Sequence, residues 1–186
     1  MRIIAGSARG RIFDAPAGRD TRPTLDRVKE AIFGSVQFQV PGATVLDLFS
    51  GSGNMGLEAL SRGAAEAICV DASPTCAALI RRNGEKLGLT EGLRVVNADY
   101  RAALSAMIAQ GQQVDLAFLD PPYSSGYAAD AVEMIFGEKL LRPGGAVIVE
   151  HAWDQPPELG EGPWQVSRVK RYGACGVTNL IWRERE

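Results

Sequence analysis

Residues Val114–Tyr123 read VDLAFLDPPY. Val114, Leu116, Ala117, Phe118 and Leu119 make a short, nearly unbroken apolar run, the pattern of a strand buried on both faces. The run stops at Asp120-Pro121-Pro122-Tyr123. Neither proline can donate to a sheet ladder, and Pro121 pushes Asp120 out of the helical region. The tetrapeptide is therefore expected as a stiff loop at the carboxyl end of a parallel strand, where open α/β sheets bind their ligands.

That loop suits a planar group carrying an NH2. Asp120 supplies a carboxylate acceptor, the prolines supply carbonyls without competing N–H groups, and Tyr123 supplies an aromatic face. Two acceptors can take the two amine hydrogens while the ring stacks on the plane. An amine of this kind is a poor nucleophile because its lone pair is delocalised, and hydrogen bonds to both hydrogens draw it towards a tetrahedral geometry.

Working outward, Thr44–Leu48 (TVLDL) reads as the first strand of the same sheet. Phe49-Ser50-Gly51-Ser52-Gly53-Asn54-Met55-Gly56 follows, then a helix through Leu57 and Leu60. The glycines match the G-x-G-x-x-G spacing that lets backbone approach a nucleotide closely. Glu66–Asp71 is the second strand, and Asp71 at its tip is placed to accept from ribose hydroxyls. Ser73-Pro74 caps a helix to about Leu87. Leu93–Asn97 is the third strand, followed by Asp99-Tyr100 and a helix over 101–110. After the Val114 strand come a helix from about Ala128 to Leu140, a fifth strand over Ala146–His151 behind Pro143-Gly144-Gly145, and two strands, Gln165–Tyr172 and Val177–Arg183. Strands alternating with helices and closing on a hairpin predict an α/β fold: a doubly wound, mostly parallel, seven-stranded sheet with an antiparallel C-terminal edge.

Ahead of Pro41-Gly42 the chain differs. Arg2–Ala5 and Arg11–Phe13 predict a small hairpin. Thr24 is expected to N-cap a helix through Val36, with Val28, Ile32 and Val36 on one face. Residues 1–40 thus form a hairpin-and-helix appendage to a main domain over 41–186. Seven basic residues (Arg2, Arg9, Arg11, Arg19, Arg22, Arg27, Lys29) face three acids in the first 29 positions, although the 186-residue chain carries a net charge of −2. A basic arm on a mildly acidic body is a candidate phosphate-binding surface.

No apolar run approaches the roughly 20 residues of a membrane span, and the N-terminus has no core of signal-peptide length. Three widely spaced cysteines read as reduced cytoplasmic thiols. The single histidine, His151, argues against a serine-hydrolase triad or a histidine metal site. Trp153, Trp164 and Trp182 read as packing residues.

LDLFSGSGNMGLEAL, the acid ending the second strand, Asn97-Ala98-Asp99 before an aromatic, and a strand ending in DPPY resemble the class I S-adenosylmethionine-dependent methyltransferases, in which D/N-P-P-Y/F marks members acting on an NH2 or amide nitrogen. MRIIAGSARGR, RPTLDRVKEAIF and the late KRYG narrow the resemblance to the bacterial 16S rRNA guanine-N2 methyltransferases of the RsmD family. The resemblance runs from Met1 to near the C-terminus. Ser50 stands where alanine is common in that family.

The resemblance implies a Rossmann-like fold and S-adenosylmethionine as cofactor. Asp47, Gly51 and Gly53, with Phe49, would cradle its methionine part. Asp71 and Ala72 would meet the ribose, and Asp99 and Tyr100 the adenine. Asp120, Pro121, Pro122 and Tyr123 would hold the target guanine. Arg9, Arg11, Arg19, Arg22 and Thr24 would contact 16S rRNA, within a small-subunit particle, with no membrane, no metal and no obligate protein partner. A DNA adenine-N6 methyltransferase and a cofactor-binding RNA module without chemistry remain alternatives at this point. A dehydrogenase would share the glycine spacing but has no use for DPPY.

Overall fold

A computed structural model describes residues 1–16, 23–122 and 126–183. In chain order the elements are α1 (Pro23–Ser35), β1 (Thr44–Leu48), α2 (Asn54–Ser61), β2 (Glu66–Asp71), α3 (Pro74–Leu87), β3 (Leu93–Asn97), α4 (Tyr100–Ala109), β4 (Val114–Leu119), α5 (Tyr127–Gly137), β5 (Leu141–Ala152), β6 (Trp164–Tyr172) and β7 (Cys175–Trp182). The seven strands form one sheet in the order β3-β2-β1-β4-β5-β7-β6. The first five run parallel, and β7 pairs antiparallel with both β5 and β6. The predicted doubly wound sheet with an antiparallel edge is what the chain folds into.

Alternation along each strand divides the core into two layers. Leu46, Leu48, Ala117, Leu119, Val147 and Val149 face α4 and α5, meeting Leu104, Met107, Val132 and Ile135. Val45, Leu116, Phe118, Ala146 and Ile148 face α1, meeting Val28, Ile32, Phe33 and Val36. The strand order reverses between β1 and β4, so their carboxyl ends open the crevice that α/β sheets use for ligands.

The N-terminal hairpin is minimal. Arg2 and Ile12 form a lone antiparallel bridge, supported by Ile3 N donating to Arg11 O (3.0 Å) and Gly10 N to Ile3 O (2.8 Å). Ile3, Ala8 and Phe13 share a buried cluster with Leu57, Leu60, Cys69, Ile80 and Leu87, so this segment packs into the wall formed by α2 and α3.

Several boundaries depart from expectation. The first helix begins at Pro23, which places Thr24 inside its first turn rather than at the cap; proline suits the first helical position because its missing N–H has no partner there anyway. The helix α5 stops at Gly137. Lys139 turns left-handed (φ 57°), and Leu140 N donates back to Ile135 O (3.0 Å), closing the helix three residues early. The strand β5 begins at Leu141, not Ala146: Val114 pairs with Leu141 and Leu116 with Ala146, so Pro143-Gly144-Gly145 lie in an irregularity of the strand. Trp164 and Trp182 pack on Phe136, at 5.7 and 4.9 Å between ring centroids. Trp153 does not join them; it is 37% exposed, with the Arg171 guanidinium 5.2 Å from its ring centre. Among the described residues no helix is long and apolar enough to cross a membrane.

Candidate functional site

The turn from β1 to α2 is built by its glycines and by one buried acid. Phe49 has φ 66°, Gly51 58° and Gly53 84°. Beneath the turn, Asp47 Oδ2 accepts from Ser50 Oγ (2.7 Å) and from Gly56 N (2.9 Å). Ser50, where the resemblance leads one to expect alanine, therefore adds a bond to the acid that shapes the loop. Asp47 and Gly53 sit behind the turn, while Phe49 and Gly51 line the cavity in front of it. Gly56 serves packing: a Cβ there would run into Cys69 Sγ. Gly56→Ala is expected to cost about 1–3 kcal/mol by overpacking and to weaken cofactor affinity, readable as a lowered urea midpoint together with a raised Kd.

The cavity measures about 420 Å³ and lies across the carboxyl ends of β1, β2 and β4. Asp71 forms its far wall. Its Oδ2 accepts from Gly51 N (2.8 Å) and its Oδ1 from Ser73 N (2.9 Å), so the carboxylate is fixed between the glycine turn and the start of α3. Ala72, Ala98 and Asp99 continue that wall, small side chains that leave room for a flat ring. The Asp99 carboxylate also caps α4, accepting from Arg101 N (2.9 Å).

Three aromatic rings close one side. Phe49 and Tyr100 lie 5.2 Å apart, Tyr100 and Tyr127 5.0 Å, and Phe49 and Tyr127 are near-parallel at 6.2 Å. Tyr100 is 5% exposed and donates from its hydroxyl to Asp130 Oδ2 (2.9 Å). Arg101 makes two bonds to the same carboxylate, both 2.8 Å, which holds Asp130 below the usual carboxylate range. Sequence reasoning missed Tyr127. Its signal was an aromatic at the head of the helix that follows the DPPY loop.

Asp120 continues β4 and keeps contact with β1, its N donating to Leu48 O (3.4 Å). Asp120 lines the first cavity, Pro121 lines a second of about 720 Å³, and Pro122 lines both. The DPP loop is thus the partition between them. Tyr123 lies outside the described residues. The second cavity is walled by Glu150, His151 and the 154–158 loop. His151 is pinned, with Nε2 2.9 Å from Thr178 Oγ1 and Nδ1 2.8 Å from Ala152 O.

Two acids flank Asp120 on the sheet. Burial first, and the Asp120 charge second to it among the raising influences, push Asp47 up to about 7 and Glu150 up to about 7. Both carboxyls therefore hold protons more tightly folded than unfolded. They favour the fold below the ordinary carboxylate range, and that contribution is lost as pH rises through about 7. Stability is expected to fall from about pH 5 to about pH 7 and then level. Asp47 alone accounts for roughly 1.4 kcal/mol per pH unit in that window, and Asp47→Asn should flatten the profile measured by denaturant titration.

The arm's basic residues divide. Arg9 is exposed. Arg11 Nη1 donates to Leu87 O (2.7 Å), capping α3. Arg19 and Arg22 lie outside the described residues, as does the Thr24 side chain. Unforeseen in the sequence is a buried ion network behind the glycine turn. Lys29 Nζ donates to Arg2 O (2.6 Å) and Asn54 Oδ1 (2.9 Å) and lies 3.2 Å from Glu58 Oε2. The Glu58 carboxylate accepts from Ile4 N (2.8 Å), Ala5 N (3.0 Å) and Arg62 Nε (2.7 Å). The network joins the arm, α1 and α2. Among the described residues there is no cluster of acids, cysteines and histidines able to hold a metal ion.

The arrangement has relatives throughout its length. The Bacillus subtilis (strain 168) protein YlbH is 37% identical over 187 residues, covering 100% of both chains. Ribosomal RNA small subunit methyltransferase D of Haemophilus influenzae is 33% identical over 93% of this chain and 89% of its own. The solved structure of Escherichia coli yhhF superposes at a TM-score of 0.84, with 30% identity, covering 100% of this chain and 99% of that one. Residues 1–181 match the family described as Conserved hypothetical protein 95. With the glycine turn, the strand-end acids and the DPP partition on one sheet edge, the chain belongs to this family, which is that of the small-subunit rRNA methyltransferases D.

Proposed function

We propose that the protein transfers a methyl group from S-adenosylmethionine to the exocyclic N2 of a guanine in 16S rRNA. The observation that carries this reading is the position of the Asp-Pro-Pro loop between two cavities, Asp120 facing one, Pro121 the other, and Pro122 both. The cofactor fits the smaller cavity by the chemistry of its walls. Asp71 offers a carboxylate to ribose hydroxyls, Ala72 and Ala98 leave space for a purine, and the Gly51 turn brings backbone close. When bound there, it supplies a methyl on a sulfonium, ready for displacement without further activation.

The chain's own work is positioning and polarisation. Asp120 and the Pro121 carbonyl accept the two hydrogens of the guanine amine, turning its lone pair towards the cofactor. The nitrogen–carbon bond forms as the carbon–sulfur bond breaks, leaving a neutral thioether. The alkylated nitrogen then loses one proton, to Asp120 or to water. No strong base is needed beforehand, because the amine becomes acidic only once alkylated. The guanine must leave its stack to reach the loop, and Tyr123, next in the chain after Pro122, is the residue we assign to stack on it.

Arg9, Arg19, Arg22 and Thr24 are the part of the arm we assign to RNA. Arg11, exposed like Arg9, bonds the end of α3 and is left unchanged in the test of this assignment, so that α3 is not disturbed. Replacing Arg9 and Arg19 by Ala is expected to weaken RNA affinity by about tenfold at low salt and to flatten its salt dependence, while the Kd for cofactor moves less than twofold. Equal effects on both affinities would remove the arm from the RNA surface.

The deciding test is transfer of labelled methyl onto small-subunit particles, protein-free 16S rRNA and DNA, with the modified nucleoside identified. N2-methylguanosine from either rRNA substrate supports the proposal. Label in N6-methyladenine of DNA, or cofactor binding without transfer to any of the three, overturns it.

A further inference from the structure

We infer that Glu150 selects the base at this site: its carboxylate accepts the N1–H of guanine while Asp120 accepts from the neighbouring N2 amine. The inference rests on the guanine-N2 reading above and adds the residue that tells guanine from other purines.

The placement comes from the sheet. The strands β4 and β5 are parallel neighbours, with Leu119 paired to Val149. Asp120, just past the end of β4, and Glu150, near the end of β5, are each the next residue, so their backbones stand level about 4.8 Å apart. Alternation puts both on the face shared by Phe118 and Ile148, which lie in one buried cluster. Glu150 also lines the larger cavity together with Pro121 and Pro122, so it sits where the base must enter. Cys175 Sγ approaches its Oε1 at 3.4 Å, a weak contact that aims the group without satisfying a carboxylate.

The chemistry of the base matches. Guanine carries N1–H and N2–H2 side by side on its Watson–Crick edge, two donors for two neighbouring acceptors. Adenine and 2,6-diaminopurine carry an acceptor at N1 and would set a lone pair against the carboxylate. The half-buried Glu150 carboxyl, raised to about 7 by burial and by Asp120, is in an environment that a donor from the substrate relieves. The methyl transfer does not otherwise employ it, since that step needs only the acceptors of the DPP loop.

The test uses the full chain and 16S rRNA in which the methylated guanine, once identified, is replaced by 2,6-diaminopurine through ligation. That base keeps the N2 amine and changes N1 from donor to acceptor. The parent protein is expected to prefer guanine by about 10- to 100-fold in kcat/KM. In Glu150→Gln, whose amide can donate to N1, the preference should fall to within about threefold. Glu150→Asp, which keeps a carboxylate, should retain most of the preference at a reduced rate, and it serves if the Gln variant fails to fold by circular dichroism. A parent ratio near one, or Glu150→Gln with the parent's ratio, overturns the inference while leaving the methyltransferase reading in place. Absence of N2-methylguanosine from the parent reaction overturns the reading beneath it, and the inference with it.

Discussion

Asp120→Ala is expected to lower methyl transfer by about 100- to 1,000-fold, the range seen when one positioned partner of a reacting group is removed, while the Kd for cofactor stays within about threefold. The reason is the division of labour at the sheet edge. The Asp120 backbone is held by Leu48 O across the β1–β4 pairing, and Pro121 and Pro122 stiffen the loop beyond it. Removing the carboxylate therefore deletes an acceptor while Leu48 O and the two prolines still hold the backbone. The groups proposed to carry the cofactor, Gly51, Asp71 and Asp99, are fixed by their own bonds to Ser73 N, Arg101 N and one another. Loss should thus fall on kcat. Asp120→Asn keeps one acceptor oxygen and should recover part of the rate. An independent readout separates this from a folding defect. The Asp120 charge helps to raise both Asp47 and Glu150, so its removal lets both ionise more easily, and the Ala variant should be no less stable than the parent at about pH 8. Turnover within fivefold of the parent, measured on the preferred rRNA substrate, would remove Asp120 from the reaction.

The legibility of each segment in the sequence depends on its physics. The strands β1, β2 and β4 announce themselves because both faces are buried, giving apolar runs bounded by glycine, proline or an acid. Ser73-Pro74 declares a cap, and Ser73 Oγ does accept from Cys76 N (3.3 Å). The junction of α5 and β5 was not legible. Its left-handed residue is a lysine, and its strand contains Pro143-Gly144-Gly145, so the local signals read as loop where sheet pairing prevails. Tyr127 was missed because its role depends on two rings, Phe49 and Tyr100, that are far away in the chain. Charge alone also could not reveal that Arg11, one of the arm's basic residues, has a helix end within reach and bonds Leu87 O there.

The Lys29–Glu58 network was invisible for a related reason, and it carries the largest expected effect on stability. Both residues sit on amphipathic helices, where a lone Lys or Glu ordinarily faces water. Here their side chains are 2% and 0% exposed. Burial pulls Lys29 below the usual lysine range, and Glu58 opposes that pull. Glu58→Ala leaves a buried ammonium facing no carboxylate and strands the N–H groups of Ile4 and Ala5. Breaking a buried pair in this way costs about 3–5 kcal/mol, or a fall of roughly 6–20 °C in Tm for a chain of this size. The double variant Lys29→Met, Glu58→Gln should recover much of that loss, because it removes both charges and keeps one acceptor for the arm. A double variant no better than Glu58→Ala would assign the cost to the arm's backbone bonds instead. Function should track stability only in part. Lys29 also bonds Asn54, the first residue of α2, directly behind the glycine turn. Glu58→Ala is therefore expected to weaken cofactor binding at temperatures where the protein is still folded, although Glu58 lies outside both cavities, because the arm and the turn are held by the same buried charges.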